Sequence, residues 1–105
     1  MTFCEEIEQE IKDKGLTAAR VTKDHIDSLV EQLSYKFHVI EGTTTTSCAV
    51  FLKDFMLAQD YSACVSPANF DEEIGRKIAK ERAHRKAVDE LWKLEGYALS
   101  TRINS

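Results

Sequence analysis

The sequence has few residues that break or cross-link a chain: one proline, four glycines and three cysteines in 105 residues. Cys4, Cys48 and Cys64 are odd in number and widely spaced, which is typical of reduced thiols in a cytoplasm. A disulfide between Cys48 and Cys64 would be possible if these residues lie on neighbouring strands. A reducing cytoplasm disfavours it. No run of about 18 apolar residues is present, so we expect no membrane span.

The chain also lacks an excess of positive charge. Its formal net charge is −4, whereas a dedicated nucleic-acid-binding domain is usually strongly basic. The first six residues contain neither a basic region nor an apolar run, so no signal peptide is expected. With 43% hydrophobic and 30% charged residues, the composition predicts one folded domain, residues 1–105, with one modest core.

Catalytic and metal-binding motifs are absent from the sequence. It contains no P-loop, no paired-glycine dinucleotide motif and no nucleophile elbow. Cys48 or Cys64 beside His38 would give a thiolate–imidazole pair, but two buried thiols and a strand histidine are the simpler interpretation. The same residues lack the short ligand spacing of a structural zinc site. We therefore expect no enzyme activity, no metal and no cofactor.

Helical periodicity indicates two short helices at the start of the chain. In the first, Thr2 and Glu5 have capping-box spacing and Gly15 is typical of a helix end. This helix is acidic and thinly apolar, so it is either mobile or docked on a partner. Thr22 is the predicted N-cap of the second helix. The apolar positions are Phe3, Ile7 and Ile11 in the first helix, and Ile26, Leu29, Val30 and Leu33 in the second.

The apolar period then changes from 3.6 to 2, which indicates β-strands. Alternation over residues 35–40 predicts the first strand, and Glu41-Gly42 predicts a turn. Residues 43–52 are rich in β-branched side chains and predict the second strand. Lys53-Asp54 suits a hairpin turn, after which a third strand is expected from Phe55 to about Val65.

A single long helix is predicted for the rest of the chain. Pro67 suits its first turn, and Asn69 followed by Glu72 offers a cap. Gly96 is expected to end the helix and residues 100–105 to form a frayed tail. Three alanines in its apolar stripe would allow close approach to a sheet. The stripe consists of Phe70, Ile74, Ile78, Ala79, Ala83, Ala87 and Leu91.

The predicted fold is α+β, with two N-terminal helices, a three-stranded antiparallel sheet and a long C-terminal helix packed on the sheet. Within this single domain, residues 22–99 form the core, 1–15 the acidic helix and 100–105 the tail. The long helix covers one face of the sheet and leaves the other partly exposed. Small sheets of this kind commonly find cover in a second subunit, so we expect a homo-oligomer.

Two features are candidate binding sites. Residues 76–86 contain six Lys or Arg and one Glu in an otherwise acidic chain, and clustered cations attract a phosphate or an acidic partner. The alternative is a solvated helix face balanced by i,i+4 pairs with Glu72 and Glu73. The hydroxyls of residues 43–47 either hold a phosphate or ribose or belong to an ordinary β-branched edge strand. The residues predicted to bind are Arg76, Lys77, Lys80, Arg85, Thr44 and Thr46.

A resemblance to a known family covers a little over half of the chain. Its motifs are GTTTTSC at 42–48, YSACV at 61–65, NFDEEIGRKIA at 69–79 and WKLEGYAL at 92–99. The sequence resembles small phage proteins of N-four-like phages, of the Shigella phage Sf-six and of many prophages. It departs from them at Lys53-Asp54-Phe55, where the family often has Asn-Gly-Phe. The stretch 83–92 is also about one helical turn longer than in short members.

The resemblance implies phage origin and expression in the host bacterial cytoplasm, and it implies no reaction. By analogy with other small phage proteins, we expect a non-enzymatic accessory protein that binds and inhibits or redirects a host protein, in host takeover or counter-defence. The alternative is a nucleotide-binding sponge that sequesters a cyclic-nucleotide immune signal. The expected partner is thus a host bacterial protein or a small anionic nucleotide, and net charge disfavours nucleic acid.

Overall fold

The computed structural model describes residues 3–15 and 19–104, so the predicted cap Thr2 lies outside the described residues. The predicted class and order of elements are confirmed. The elements are α1 (Phe3–Asp13), α2 (Lys23–Val30), β1 (Leu33–Val39), β2 (Thr45–Leu52), β3 (Phe55–Ala63), a 3₁₀ turn (Pro67–Asn69) and α3 (Glu72–Ile103).

Local chemistry sets the ends of the two short helices. Gly15 follows α1 with φ +69°, and its N–H donates to the Lys12 carbonyl over 3.0 Å. The Thr22 hydroxyl accepts from the His25 N–H over 3.1 Å, as predicted for the cap of α2. The prediction that Leu33 belongs to this helix is wrong, because Leu33 begins β1 opposite Leu52.

An ion pair connects helix α1 to the segment before α2, and the apolar stripe of α1 faces an open groove. Glu8 and Arg20 lie 2.8 Å apart, and their side chains are only 19% and 25% exposed. The hydrogen bond from Arg20 holds the pKa of Glu8 below its usual value. The stripe of Phe3, Ile7 and Ile11 lines a groove whose other wall includes Val21 and Trp92.

The three strands form one antiparallel sheet in the order β1-β2-β3. The first connection turns at Gly42, with φ +78°, and the Thr43 N–H donates to the Ile40 carbonyl. This turn delays the start of β2 to Thr45. The second connection is the predicted two-residue turn, in which Lys53 adopts φ +59°. The third strand ends at Ala63, two residues before the predicted end.

A β-bulge divides the third strand. Val50 lies opposite Ala58 and Phe51 opposite Met56, so Leu57 is the extra residue. A bulge of this kind re-aims side chains. Leu57 consequently faces the core, whereas Tyr61, opposite Ser47, lies on the other face of the sheet and is 57% exposed.

Helix α3 differs from its prediction at both ends. Its N-cap is Asp71, whose carboxylate accepts from the Ile74 N–H over 3.1 Å. The predicted cap Asn69 belongs to the 3₁₀ turn instead, because Phe70 is extended between the two elements. The prediction that Gly96 ends the helix is also wrong, since α3 continues to Ile103. Residues 100–103 of the predicted tail are thus helical.

The core lies between α3 and the face of the sheet that carries Cys48 and Val50. Ala79, Ala83 and Ala87 are fully buried and allow the predicted close approach of helix and sheet. The prediction that Ile74 and Ile78 share this stripe is wrong, because they are 55% and 42% exposed. Adjacent helical positions differ by about 100°, which turns Ile78 away from the row that begins at Ala79.

A candidate binding site between the first strand and the long helix

Three of the predicted binding cations lie in ion pairs along α3. Arg76 is 3.1 Å from Glu72, Lys77 is 3.4 Å from Glu73, and Arg85 is 2.6 Å from Glu81. All three are i,i+4 pairs, and two are those that the solvated-face alternative predicts. Exposed pairs of this type contribute about 0–1 kcal/mol each, so the cations remain available to a stronger anionic partner.

Two further cations of residues 76–86 face the outer edge of β3. Arg82 donates to the Tyr61 carbonyl over 3.0 Å, and Lys86 lies 3.2 Å from Asp60. The Asp60 carboxylate also accepts from the Tyr61 N–H over 2.8 Å. That hydrogen bond, with help from Lys86, lowers the pKa of Asp60. These side chains satisfy the outward backbone groups of Tyr61.

The two predicted threonines lie away from these cations. The Thr44 hydroxyl donates to the Cys64 carbonyl over 2.5 Å, and Thr44 lines an open groove of about 190 Å³ beside the first turns of α3. Thr46 is fully buried beneath Gly75. Its hydroxyl finds no hydrogen-bond partner among the described residues.

The last predicted cation, Lys80, lies in a cluster that combines three recognition chemistries. Its Nζ is 4.6 Å from the centroid of the Tyr35 ring, a cation–π geometry. The Tyr35 hydroxyl lies within hydrogen-bond distance of His84 Nδ1, at 2.8 Å. The two rings are stacked, with centroids 6.2 Å apart and planes at 27°. We call Tyr35, Lys80 and His84 the aromatic–basic cluster.

Helical and strand periodicity together build this cluster. Lys80 and His84 are four residues apart and therefore share one face of α3, while Tyr35 belongs to the face of β1 that is directed towards the helix. Sequence reasoning identified Lys80 and missed Tyr35 and His84. The i,i+4 spacing was readable, but the register of β1 beneath α3 depends on tertiary packing.

The Tyr35 hydroxyl of the cluster is not activated as a nucleophile. Burial raises the pKa of Tyr35, so its hydroxyl stays protonated at neutral pH. Burial likewise raises the pKa of the Cys48 thiol, whereas a reactive cysteine needs a lowered pKa. An aromatic face, an ammonium group and an imidazole can instead stack on a planar ring and contact an anion.

The cysteine–histidine pair considered from the sequence does not form. Cys48 lies opposite Phe37 and His38 opposite Ser47, so the thiol and the imidazole occupy different faces of the sheet. Cys64 lies beyond the far strand and donates to the Ser66 carbonyl over 3.1 Å. All three cysteines are free. Within residues 3–15 and 19–104, no group of three or more His, Cys, Asp or Glu side chains could hold a metal.

The chain matches the model of a known protein family. The model of a family described as phage protein (N4 Gp49/phage Sf6 gene 66) matches residues 21–103, which include all of the elements from α2 to α3. No curated protein and no solved structure matches the chain. Over the part of the chain that the structure describes, none of the helices has the length and apolar character needed to cross a membrane.

Proposed function

Because the chain belongs to this phage protein family, we propose that it is a phage accessory protein that binds and sequesters a small anionic nucleotide, such as a cyclic-nucleotide signal of the host. The observation that carries this proposal is the aromatic–basic cluster of Tyr35, Lys80 and His84. It combines an aromatic face, an ammonium group and an imidazole.

The chemistry of the cluster suits a nucleotide better than a simple anion. Stacking of a base on an aromatic side chain contributes about 1–3 kcal/mol, and the Lys80 ammonium supplies a charge for a phosphate. The overall charge of −4 opposes binding of a long polyanion, whereas a small ligand needs only local cations. The proposal therefore favours a mononucleotide or cyclic oligonucleotide over DNA or RNA.

The direct test is thermal unfolding of the purified protein with a panel of cyclic mono-, di- and trinucleotides. A ligand at a hundredfold excess over its Kd adds about 2.7 kcal/mol of stability, and each kcal/mol raises the Tm of a domain of this size by about 4–8 °C. We expect such a rise for at least one ligand. No rise with any member of the panel would reject the proposal.

Two variants localise the effect. Lys80→Ala removes the ammonium group above Tyr35 and should abolish the ligand-induced rise in Tm. Arg85→Ala removes a cation from the same helix, but one that pairs with Glu81 outside the cluster. It should leave the rise unchanged. Equal losses in both variants would place the ligand on the general charge of α3 and not at the cluster.

A second candidate function is binding of a host protein, with inhibition or redirection of that partner. It is favoured by the face of the sheet opposite α3, where Met56 and Tyr61 are 50% and 57% exposed. Aromatic and methionine side chains are enriched in protein interfaces. A pulldown from host lysate should then return one specific protein, and Tyr61→Lys should release it. Repeated pulldowns that return nothing specific would exclude this candidate.

A further inference from the structure

The two outer edges of the sheet differ in protection. At β3, Asp60 and Arg82 satisfy the outward N–H and C=O of Tyr61, and Lys86 adds a charge beside them. Charged side chains at a strand edge block pairing with another chain. The β3 edge is consequently blocked to strand addition around Tyr61.

The outer edge of β1 has no comparable cover. The Ile40 N–H donates to the Thr45 carbonyl on the β2 side. Since backbone groups alternate in direction along a strand, the N–H and C=O groups of Tyr35, Phe37 and Val39 point outward. Among the described residues, no hydrogen bond to these outward groups is present. The side chain of Phe37 is 39% exposed, although it lies opposite the fully buried Cys48.

The molecule has more accessible surface than a compact monomer of its mass. A monomer of 11.9 kDa is expected to expose about 6,000 Å², whereas this chain exposes 7564 Å². Its extents of 56 × 32 × 19 Å show why, because one helix layer on one sheet layer is thin. The excess of roughly 1,500 Å² is larger than the approximately 800 Å² that each partner buries in a standard interface.

We propose that two copies of this chain pair through their β1 edges, antiparallel and centred on Phe37, into a continuous six-stranded sheet. In this register Tyr35 lies opposite Val39 of the partner subunit, and Lys36 lies opposite His38 of the partner subunit. A register centred on Lys36 would instead place two lysines directly opposite one another, which is destabilising. The outward N–H and C=O groups of β1 then find partners in the second copy.

Pairing of this kind creates a cleft that a single chain lacks. Helix α3 lies mainly over β2 and β3, and neighbouring strands are about 4.8 Å apart. The two α3 axes are therefore about 19 Å apart across the two-fold axis. Helices about 10–12 Å in diameter leave a cleft of roughly 8 Å between them. Its floor is Tyr35, Phe37 and Val39 of both copies, and its walls carry Lys80 and His84.

The composite cleft rests on the proposed nucleotide-binding function and deepens it. The aromatic–basic cluster faces the β1 side of α3, so the dimer brings two such clusters to one cleft. A ligand with two bases and two phosphates related by two-fold symmetry matches that arrangement. A cyclic dinucleotide is consequently the substrate class that the cleft fits, with one ligand per dimer.

Light scattering on the purified protein tests the interface. We expect a mass of about 24 kDa for the wild type, twice the 11.9 kDa of one chain. Phe37→Pro removes an outward N–H without breaking the ladder to β2 and should give a monomer with native circular dichroism. If the proline variant fails to fold, Val39→Lys tests the same interface, because it places a charge at the paired edge and should also give a monomer. The matched control Gln59→Pro removes an outward N–H from the β3 edge instead and should remain dimeric.

Cyclic-dinucleotide binding measured on the same samples separates the two claims. Loss of binding in monomeric Phe37→Pro supports the composite cleft. A monomeric variant that still binds overturns the cleft and leaves the nucleotide function in place. A wild-type dimer that binds no nucleotide overturns the proposed function and leaves the interface. A monomeric wild type, or a Phe37→Pro variant that stays dimeric, overturns the interface itself.

Discussion

At the residue scale, the contact between Gly75 and Thr46 fixes how closely α3 approaches the sheet. A Cβ atom added at Gly75 would lie 2.9 Å from Thr46 Oγ1 and 3.4 Å from Ser62 Oγ. The Ser62 hydroxyl meanwhile donates to the Gly75 carbonyl over 2.7 Å. The first turn of α3 therefore rests directly on β2 and β3, which only glycine permits.

Two glycines of α3 form a matched pair for testing this contact. Alanine is better than glycine in a helix by about 1 kcal/mol, and a Cβ at Gly96 would meet nothing within 4 Å. Gly96→Ala should therefore raise the free energy of unfolding by about 0.5–1 kcal/mol. Gly75→Ala gains the same propensity but overpacks the core by about 1–3 kcal/mol, so it should lower stability. Urea denaturation measures both changes.

Removal of the Thr46 hydroxyl tests whether the clash with this atom causes the loss of stability in Gly75→Ala. Because the hydroxyl is fully buried and finds no partner among the described residues, its removal sacrifices no hydrogen bond. Thr46→Ala combined with Gly75→Ala should recover part of the stability lost in Gly75→Ala alone. A Gly75→Ala variant as stable as Gly96→Ala would contradict the tight contact.

The three thiols are expected to differ in reactivity. Cys4 is exposed, whereas Cys48 is buried and burial raises the pKa of its thiol. In the native protein, Ellman's reagent should modify Cys4 readily and Cys48 only after unfolding, with Cys4→Ser as the control. Modification of Cys48 in the native state at the rate of Cys4 would mean that α3 separates from the sheet.

At the scale of elements, periodicity predicted the interiors of helices and strands better than their ends. The apolar alternation from Tyr35 to Val39 and the alanine row in α3 were both correct, because each reports burial of one face. The end of α3 was wrong at Gly96, since a glycine stops a helix only where neighbouring contacts also end. Here Glu95 bonds to His25, and Leu99 lines the same groove as the residues that precede α2.

The candidate site was less predictable than the fold. Lys80 was selected for its charge alone, Tyr35 was interpreted only as an alternating strand position, and His84 was not selected. Their meeting depends on the register of β1 and on the rotation of α3, neither of which is encoded in a local pattern. The burial of Thr46 had the same cause, because residues 43–47 were expected at an edge and β2 is the central strand.

The β3 edge carries a pH dependence that can be measured. The Tyr61 N–H and Lys86 hold the pKa of Asp60 below its ordinary value. The carboxylate therefore stabilises the folded state at neutral pH, and this contribution is lost as the pH falls through the lowered pKa. Asp60→Asn should cost about 1 kcal/mol at pH 7 and little once the pH lies below the lowered pKa of Asp60. A cost that is the same at both pH values would contradict the ionic role.

At the scale of the whole molecule, one thin layer of helix on one thin sheet leaves an open strand edge and an aromatic–basic cluster side by side. Self-association through β1 would cover the open strand edge and bring two aromatic–basic clusters together. The same geometry would explain how a chain with net charge −4 presents a cationic site, because Lys80 and His84 of two copies would face a single cleft.

Native mass spectrometry of the wild-type protein mixed with a cyclic dinucleotide tests the dimer and its cleft together, because it reports subunits and ligands in one spectrum. We expect an assembly of two chains, about twice 11.9 kDa, that carries one nucleotide, and a loss of the nucleotide in Lys80→Ala. A bare single chain, observed under conditions that preserve known complexes, would contradict it.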